Sequence, residues 1–170
     1  MTRTSTVFLM IICLLALAGC SQVPTSDIQV FSQLDSKTNL AGFKSYAWAG
    51  AAEAINDPDN QWIPPGYDPE IELKRLIDIE LHKKGLTEDL IEPDMLIGMA
   101  TGIDMQAHEP DQNPTTNNPQ GALVIIMVDA RNGYPIWAGE AIAGVSMAYT
   151  DAERRNRLEY AVRKIFKAYP

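Results

Sequence analysis

Gly121-Ala-Leu-Val-Ile-Ile-Met-Val-Asp129-Ala-Arg-Asn-Gly-Tyr-Pro-Ile-Trp137-Ala-Gly-Glu140 reads as a buried β-hairpin, and the remaining elements are placed around it. Every residue from Ala122 to Val128 is apolar, so both faces of that strand want cover and it belongs inside its sheet. Asn132-Gly133 supplies the turn, because both residues tolerate positive φ and the polar run Asp129 to Gly133 separates two apolar runs. The returning strand carries Ile136 and Trp137.

Upstream, Asp27 to Ser32 alternates as a first strand, and Phe43-Lys-Ser-Tyr46-Ala-Trp48 as a second. Ala49 to Tyr67 reads as a loop from its Asn, Asp, Pro and Gly content. Asp68 is placed to cap a helix with Pro69 at its first position; Leu73, Leu76, Ile77 and Leu81 share one face, and Gly85 stops it after Lys84. Met95 to Met99 predicts a third strand, followed by a polar, aperiodic excursion from Asp104 to Gln120. After the hairpin, Thr150-Asp-Ala-Glu153 forms a capping box ahead of Leu158, Ala161, Val162, Ile165, Phe166 and Tyr169 at helical spacing. The order β-β-α-β-β-β-α predicts an α+β fold: a mixed, mostly antiparallel sheet with two helices packed on one face.

The amino-terminal region carries an address. Arg3 precedes the apolar run Val7 to Leu17, and Leu17-Ala18-Gly19-Cys20 closes it as a lipobox. Residues 1–19 are read as a lipoprotein signal peptide, 20–26 as the lipidated Cys20 with a short tether, and 27–170 as one α+β domain. With Cys13 lost and Cys20 acylated, no thiol remains for a disulfide, a metal or a nucleophile. Ser21 after the cysteine resembles bacterial sorting signals for the outer membrane, which places the domain in the periplasm. The net charge of −8 argues against a nucleic-acid partner.

Catalytic patterns are sparse. Neither His82 nor His108 sits in a frame for a Ser-His-Asp hydrolase, and no Gly-x-Ser-x-Gly elbow exists. Asp104, His108, Glu109 and Asp111 are the cluster that a metal could use, but they lie in the long polar loop and lack a Gly-centred calcium frame, so no metal and no cofactor is expected. Tyr46, Trp48, Trp62 and Trp137 offer aromatic surface for a glycan or small ligand, while aromatics in strands serve more often as packing. Arg157, Tyr160, Lys164 and Lys167 form a stripe expected to face outward from the last helix, against anionic headgroups or an acidic partner, or simply toward solvent.

The lipobox, Phe43-Lys-Ser-Tyr46-Ala-Trp48, the Ile77 to Gly85 helix end, Pro93-Asp94, Gly121, Asp129-Ala-Arg-Asn-Gly133, Ile136-Trp137-x-Gly139 and Pro170 occur in an order that resembles one family. It is the bacterial lipoprotein family catalogued as domain of unknown function 4136. The resemblance implies an α+β domain on a lipid anchor in the cell envelope and carries over no catalytic residues. The reading is therefore a non-enzymatic lipoprotein, held to the membrane through Cys20, that binds an envelope partner or supports an assembly. The alternative is a small-ligand or glycan-binding lipoprotein using the four aromatics.

Overall fold

The computed structural model describes residues 23–108 and 118–170, so the signal segment, Cys20, Glu109 and Asp111 lie outside the described residues. Six strands and two helices follow in the order β1 (Gln29–Leu34), β2 (Ser45–Asn56), α1 (Pro69–Lys83), β3 (Thr87–Glu88), β4 (Met95–Asp104), β5 (Gln120–Asp129), β6 (Pro135–Gly144) and α2 (Asp151–Lys167). The strands form one mixed sheet in the spatial order β1-β6-β5-β4-β2-β3. β1, β6, β5 and β4 pair antiparallel. β2 runs parallel to β4, and α1 makes the crossover that a parallel pair requires. This is the expected α+β architecture with one addition, the two-residue edge strand β3.

The opening stretch behaves as a hairpin at the centre of the sheet. β5 lies between β4 and β6. Its turn closes through the Gly133 amide donating to the Asp129 carbonyl at 2.8 Å, with Gly133 at φ 74°, where a side chain would be strained. Along β5, Leu123, Ile125 and Met127 point into the core beneath the helices. The alternate residues Val124, Ile126 and Val128 face the other way, and Ile126 is 40% exposed. The expectation of cover on both faces is thus corrected: both helices pack on one side, and among the described residues the second side carries no helix.

The chain from Ala49 to Asn56 is strand and not loop. β2 continues past a register shift between Trp48 and Gly50, and from Gly50 to Asn56 it pairs with Gly98 to Asp104. Alanine, glycine and glutamate carry little intrinsic strand preference, so the ladder with β4, and not local propensity, holds this half in place.

Both helices begin, and α1 ends, as their sequences dictate. The Asp68 carboxylate accepts from the Glu70 and Ile71 amides; at the other end Gly85, at φ 82°, lets the Leu86 amide reach back to the Leu81 carbonyl. Thr150 and Glu153 complete both halves of the capping box. Leu73, Leu76, Ile77 and Leu81 of α1 and Ala161, Val162, Ile165 and Phe166 of α2 meet the inner sheet face in one core.

Candidate functional site

Apart from Gly121 at the far end of β5, the described family-like motifs build the half of the molecule near the hairpin. Tyr46 and Trp48, two residues apart on β2, point to the same side and both donate to one oxygen of Asp78 on α1, at 2.8 Å from the phenol and 3.0 Å from the indole nitrogen. Burial, and Asp78 accepting its hydrogen bond, push the Tyr46 phenol well above its ordinary pKa. The Asp94 carboxylate accepts from the Lys44 and Ser45 amides at 2.7 and 3.0 Å and so fastens the start of β4 to the start of β2. These bonds, the Lys44 amide foremost, hold the Asp94 carboxyl below the usual range. Asp129 is gripped by the Arg131 guanidinium at 3.0 and 2.7 Å and by the Arg131 amide, which depress its pKa likewise. Trp137 is 2% exposed, with Tyr169 edge-on at 5.2 Å and Phe166 at 5.8 Å.

The four aromatics therefore do not form one surface. Tyr46 and Trp137 are core residues, and Trp48 is half-buried under the Lys74 ammonium, 5.5 Å from its ring. A strand residue facing the helices is covered whatever its polarity, which is why the aromatic cluster of β2 does not become a platform.

Trp62 is placed differently. The Asp57 carboxylate accepts from the Gln61 and Trp62 amides at 2.9 and 2.7 Å, curling the β2–α1 loop back over the sheet. The first turns of α2 then fasten that loop. Arg154 donates to the Ile63 carbonyl at 2.8 Å and lies over the Trp62 ring at 5.2 Å, while Asp151 accepts from the Gly66 amide at 3.0 Å. A Cβ on Gly66 would stand 2.6 Å from that Asp151 oxygen, so the close approach needs glycine.

Beneath this roof is a cavity of about 170 Å³, between the amino ends of α1 and α2 and the end of the sheet away from the hairpin. Leu73, Ile103, Leu123, Leu158 and Ala161 line it, with Trp62, Tyr67 and Tyr149 at its rim. Arg155 and Arg157 lie over Tyr67 and Tyr149 at 3.9 and 5.0 Å, as Arg154 lies over Trp62, so three arginine–aromatic stacks fix the rim. Sequence reasoning singled out Trp62 and passed over Tyr67, Tyr149 and Arg154; the Pro-Pro-Gly-Tyr run marked a loop but gave no sign that α2 would pin it.

The basic stripe on α2 requires a correction. Arg157 is 7% exposed, not outward: it pairs with both Asp27 oxygens at 3.0 and 2.6 Å, donates to the Gly144 carbonyl at 3.1 Å, and holds the Pro24 carbonyl. Lys164 is half-buried and donates to the Ile28 carbonyl at 2.6 Å. At about 100° per residue these two side chains stand on the flank of the apolar stripe, beside the incoming tether and β1. Half-buried Tyr160 carries the Lys164 ammonium over its ring at 5.6 Å, and only Lys167 faces fully outward. Arg157 lowers the Asp27 pKa through hydrogen bonds and charge, against partial burial.

Of the four residues that a metal could use, Asp104 accepts from the Asn56 side-chain amide and the Gln106 backbone amide, and His108 is exposed; Glu109 and Asp111 lie outside the described residues. No described helix is long and apolar enough to cross a membrane.

Fold and site together define a two-layer α+β domain with a small apolar cavity at one end and no assembled catalytic constellation among the described residues. The chain belongs to the family described as Domain of unknown function (DUF4136), whose model matches residues 30–170. No curated protein matches it. Among solved structures, a DUF4136 family protein from Bacteroides thetaiotaomicron is 13% identical with a TM-score of 0.56, over 83% of this chain and 95% of that one. A PDZ domain protein from Parabacteroides distasonis is 19% identical with a TM-score of 0.53, over 85% of this chain but 37% of its own. At these identities the likeness is one of fold.

Proposed function

We propose that the chain is a lipoprotein of the outer membrane, anchored through lipid on Cys20 with its domain in the periplasm, that binds an envelope protein and catalyses no reaction. The supporting observation is the uncovered face of the sheet. Leu96, Val124, Ile126, Val128 and Ile142 project from three adjacent strands on the side away from the helices, with Phe31, 54% exposed, on edge strand β1. Glu140 lies between Phe31 and Val124 on this face, and the apolar residues around it favour an interaction site over a solvated face. The non-catalytic reading is favoured because Asp27, Asp94 and Asp129, with their depressed pKa values, are each engaged in bonds that hold elements together.

A photoreactive amino acid at Ile126, in cells making the lipidated chain, tests this reading beside the same probe at exposed Lys167. A discrete protein adduct at 126, absent at 167 and lost on Val124→Glu, is expected. Equal labelling at both positions, or none at 126, would count against the sheet face as the binding surface. Mass spectrometry of the native amino terminus tests the anchor separately.

The cavity favours a second reading, binding of a small apolar ligand. Of the four aromatics first considered for it, Trp62 alone lines that space.

A further inference from the structure

We propose that the cavity receives a segment of the acyl chain of an anionic amphiphile, a phospholipid or a free fatty acid, from the membrane to which the protein is tethered. This rests on the small-ligand reading and narrows it to a chemical class.

Shape and lining come first. The cavity holds about 170 Å³ and its wall is almost wholly hydrocarbon and aromatic. An apolar space of about 150 Å³ admits benzene, so a pocket of this size and lining suits a hydrocarbon segment of roughly six carbons better than a polar metabolite. Glycans need hydrogen-bonding partners along their length, and the interior wall offers few.

Charge selects the head group. Two guanidiniums border the cavity. Arg157 is consumed by Asp27 and two backbone carbonyls. Arg154 donates only to the Tyr149 and Ile63 carbonyls, at 3.2 and 2.8 Å, and among the described residues no carboxylate pairs with it. It remains a cation at the mouth of an apolar space, suited to a phosphate or carboxylate. Glu53, the one carboxylate on the lining, belongs to an exposed residue of β2.

Position supplies the source. Ile28 forms part of the wall, and the residues just before it are locked to the same end of the domain, since Arg157 holds Pro24 and Asp27. Pro24 lies four positions after Cys20, a span of at most about 14 Å. An anchor on Cys20 therefore brings the cavity end close to the lipid headgroups.

The test uses the full lipidated chain in cells fed a diazirine fatty acid. After irradiation, adducts should concentrate on peptides bearing Leu73, Leu123, Leu158 and Ala161. They should fall at least tenfold in Ala161→Phe, which fills the cavity, and severalfold in Arg154→Gln. In 5-fluorotryptophan protein, unchanged Trp48 and Trp137 fluorine resonances certify that each variant is folded. The adduct mass identifies the source: a phospholipid or a free acid supports the proposal, whereas a chain joined to the Cys20 peptide overturns it in favour of the protein's own anchor. Benzene added to protein in nanodiscs separates the two levels of inference. A benzene-induced shift of the Trp62 resonance without acyl adducts in the cavity would overturn the acyl assignment and keep a small-ligand site; neither signal would overturn both.

Discussion

Gly139 lies under the edge of the Trp137 indole, and a Cβ there would stand 2.4 Å from ring atom Cη2 and 2.5 Å from Ile165 Cγ2. The Trp-x-Gly pattern is thus one packing unit, a large ring and the absent side chain that admits it. Gly139→Ala is expected to cost about 1–3 kcal/mol by overpacking and Trp137→Ala about 3–5 kcal/mol by leaving a void, each read as a shift in urea midpoint. A midpoint equal to the parent's in Trp137→Ala would mean that the ring contributes no packing. Asp78 makes a second unit with Tyr46 and Trp48. Asp78→Ala leaves the buried Tyr46 hydroxyl without an acceptor, at a cost of about 1–3 kcal/mol, and Asp78→Asn, which keeps an oxygen, should lose less. The aromatic halves of these units are visible in the sequence. Gly139 stands in the same motif as its ring, but the Asp78 partner is not visible, because it lies some thirty residues from Tyr46 and looks like any polar residue on an amphipathic helix.

At the scale of elements, the starts of α1 and α2 and the stop of α1 are legible because capping is local chemistry: Asp68-Pro69, Gly85 and Thr150-x-x-Glu153 act within four residues. Thr150→Ala should destabilise the domain by about 1 kcal/mol, with the loss visible in thermal or chemical melting. The second half of β2 was not legible, since its extended form depends on the β4 ladder. Nor was the flank of α2, where Arg157 meets a tether more than a hundred residues away in sequence. That pair has a pH signature. Asp27 has its pKa depressed in the folded state, so its contribution is present above the unfolded value, near 3.8, and disappears as pH falls through the lower folded value. The midpoint difference between parent and Asp27→Asn should therefore be full at pH 7 and shrink steadily below about pH 4. A difference independent of pH would show that the ion pair contributes nothing to stability.

For the whole molecule, the two ends of the sheet are built differently. The hairpin end carries Asp94, Asp129, Arg131 and the described family-like motifs other than Gly121, all tied into architecture, so resemblance at those positions identifies the fold without disclosing a function. The other end carries the cavity, the amino ends of both helices and the clamp on the tether. Its residues are dispersed from Ile28 to Ala161, and only the closed sheet brings them together, which is why, of the candidate binding residues read from the sequence, Trp62 and Arg157 alone reach it. The account's central claim is that this end faces the bilayer. Single cysteines at Ser146, on the cavity, and Asn132, in the hairpin turn roughly 30 Å away along β6, test it directly, because lipid on Cys20 would block the natural thiol. With fluorophores on each in proteoliposomes of the lipidated protein, headgroup-level nitroxide lipids should quench the Ser146 site strongly and leave the Asn132 site almost untouched; equal quenching, or stronger quenching at Asn132, would contradict it.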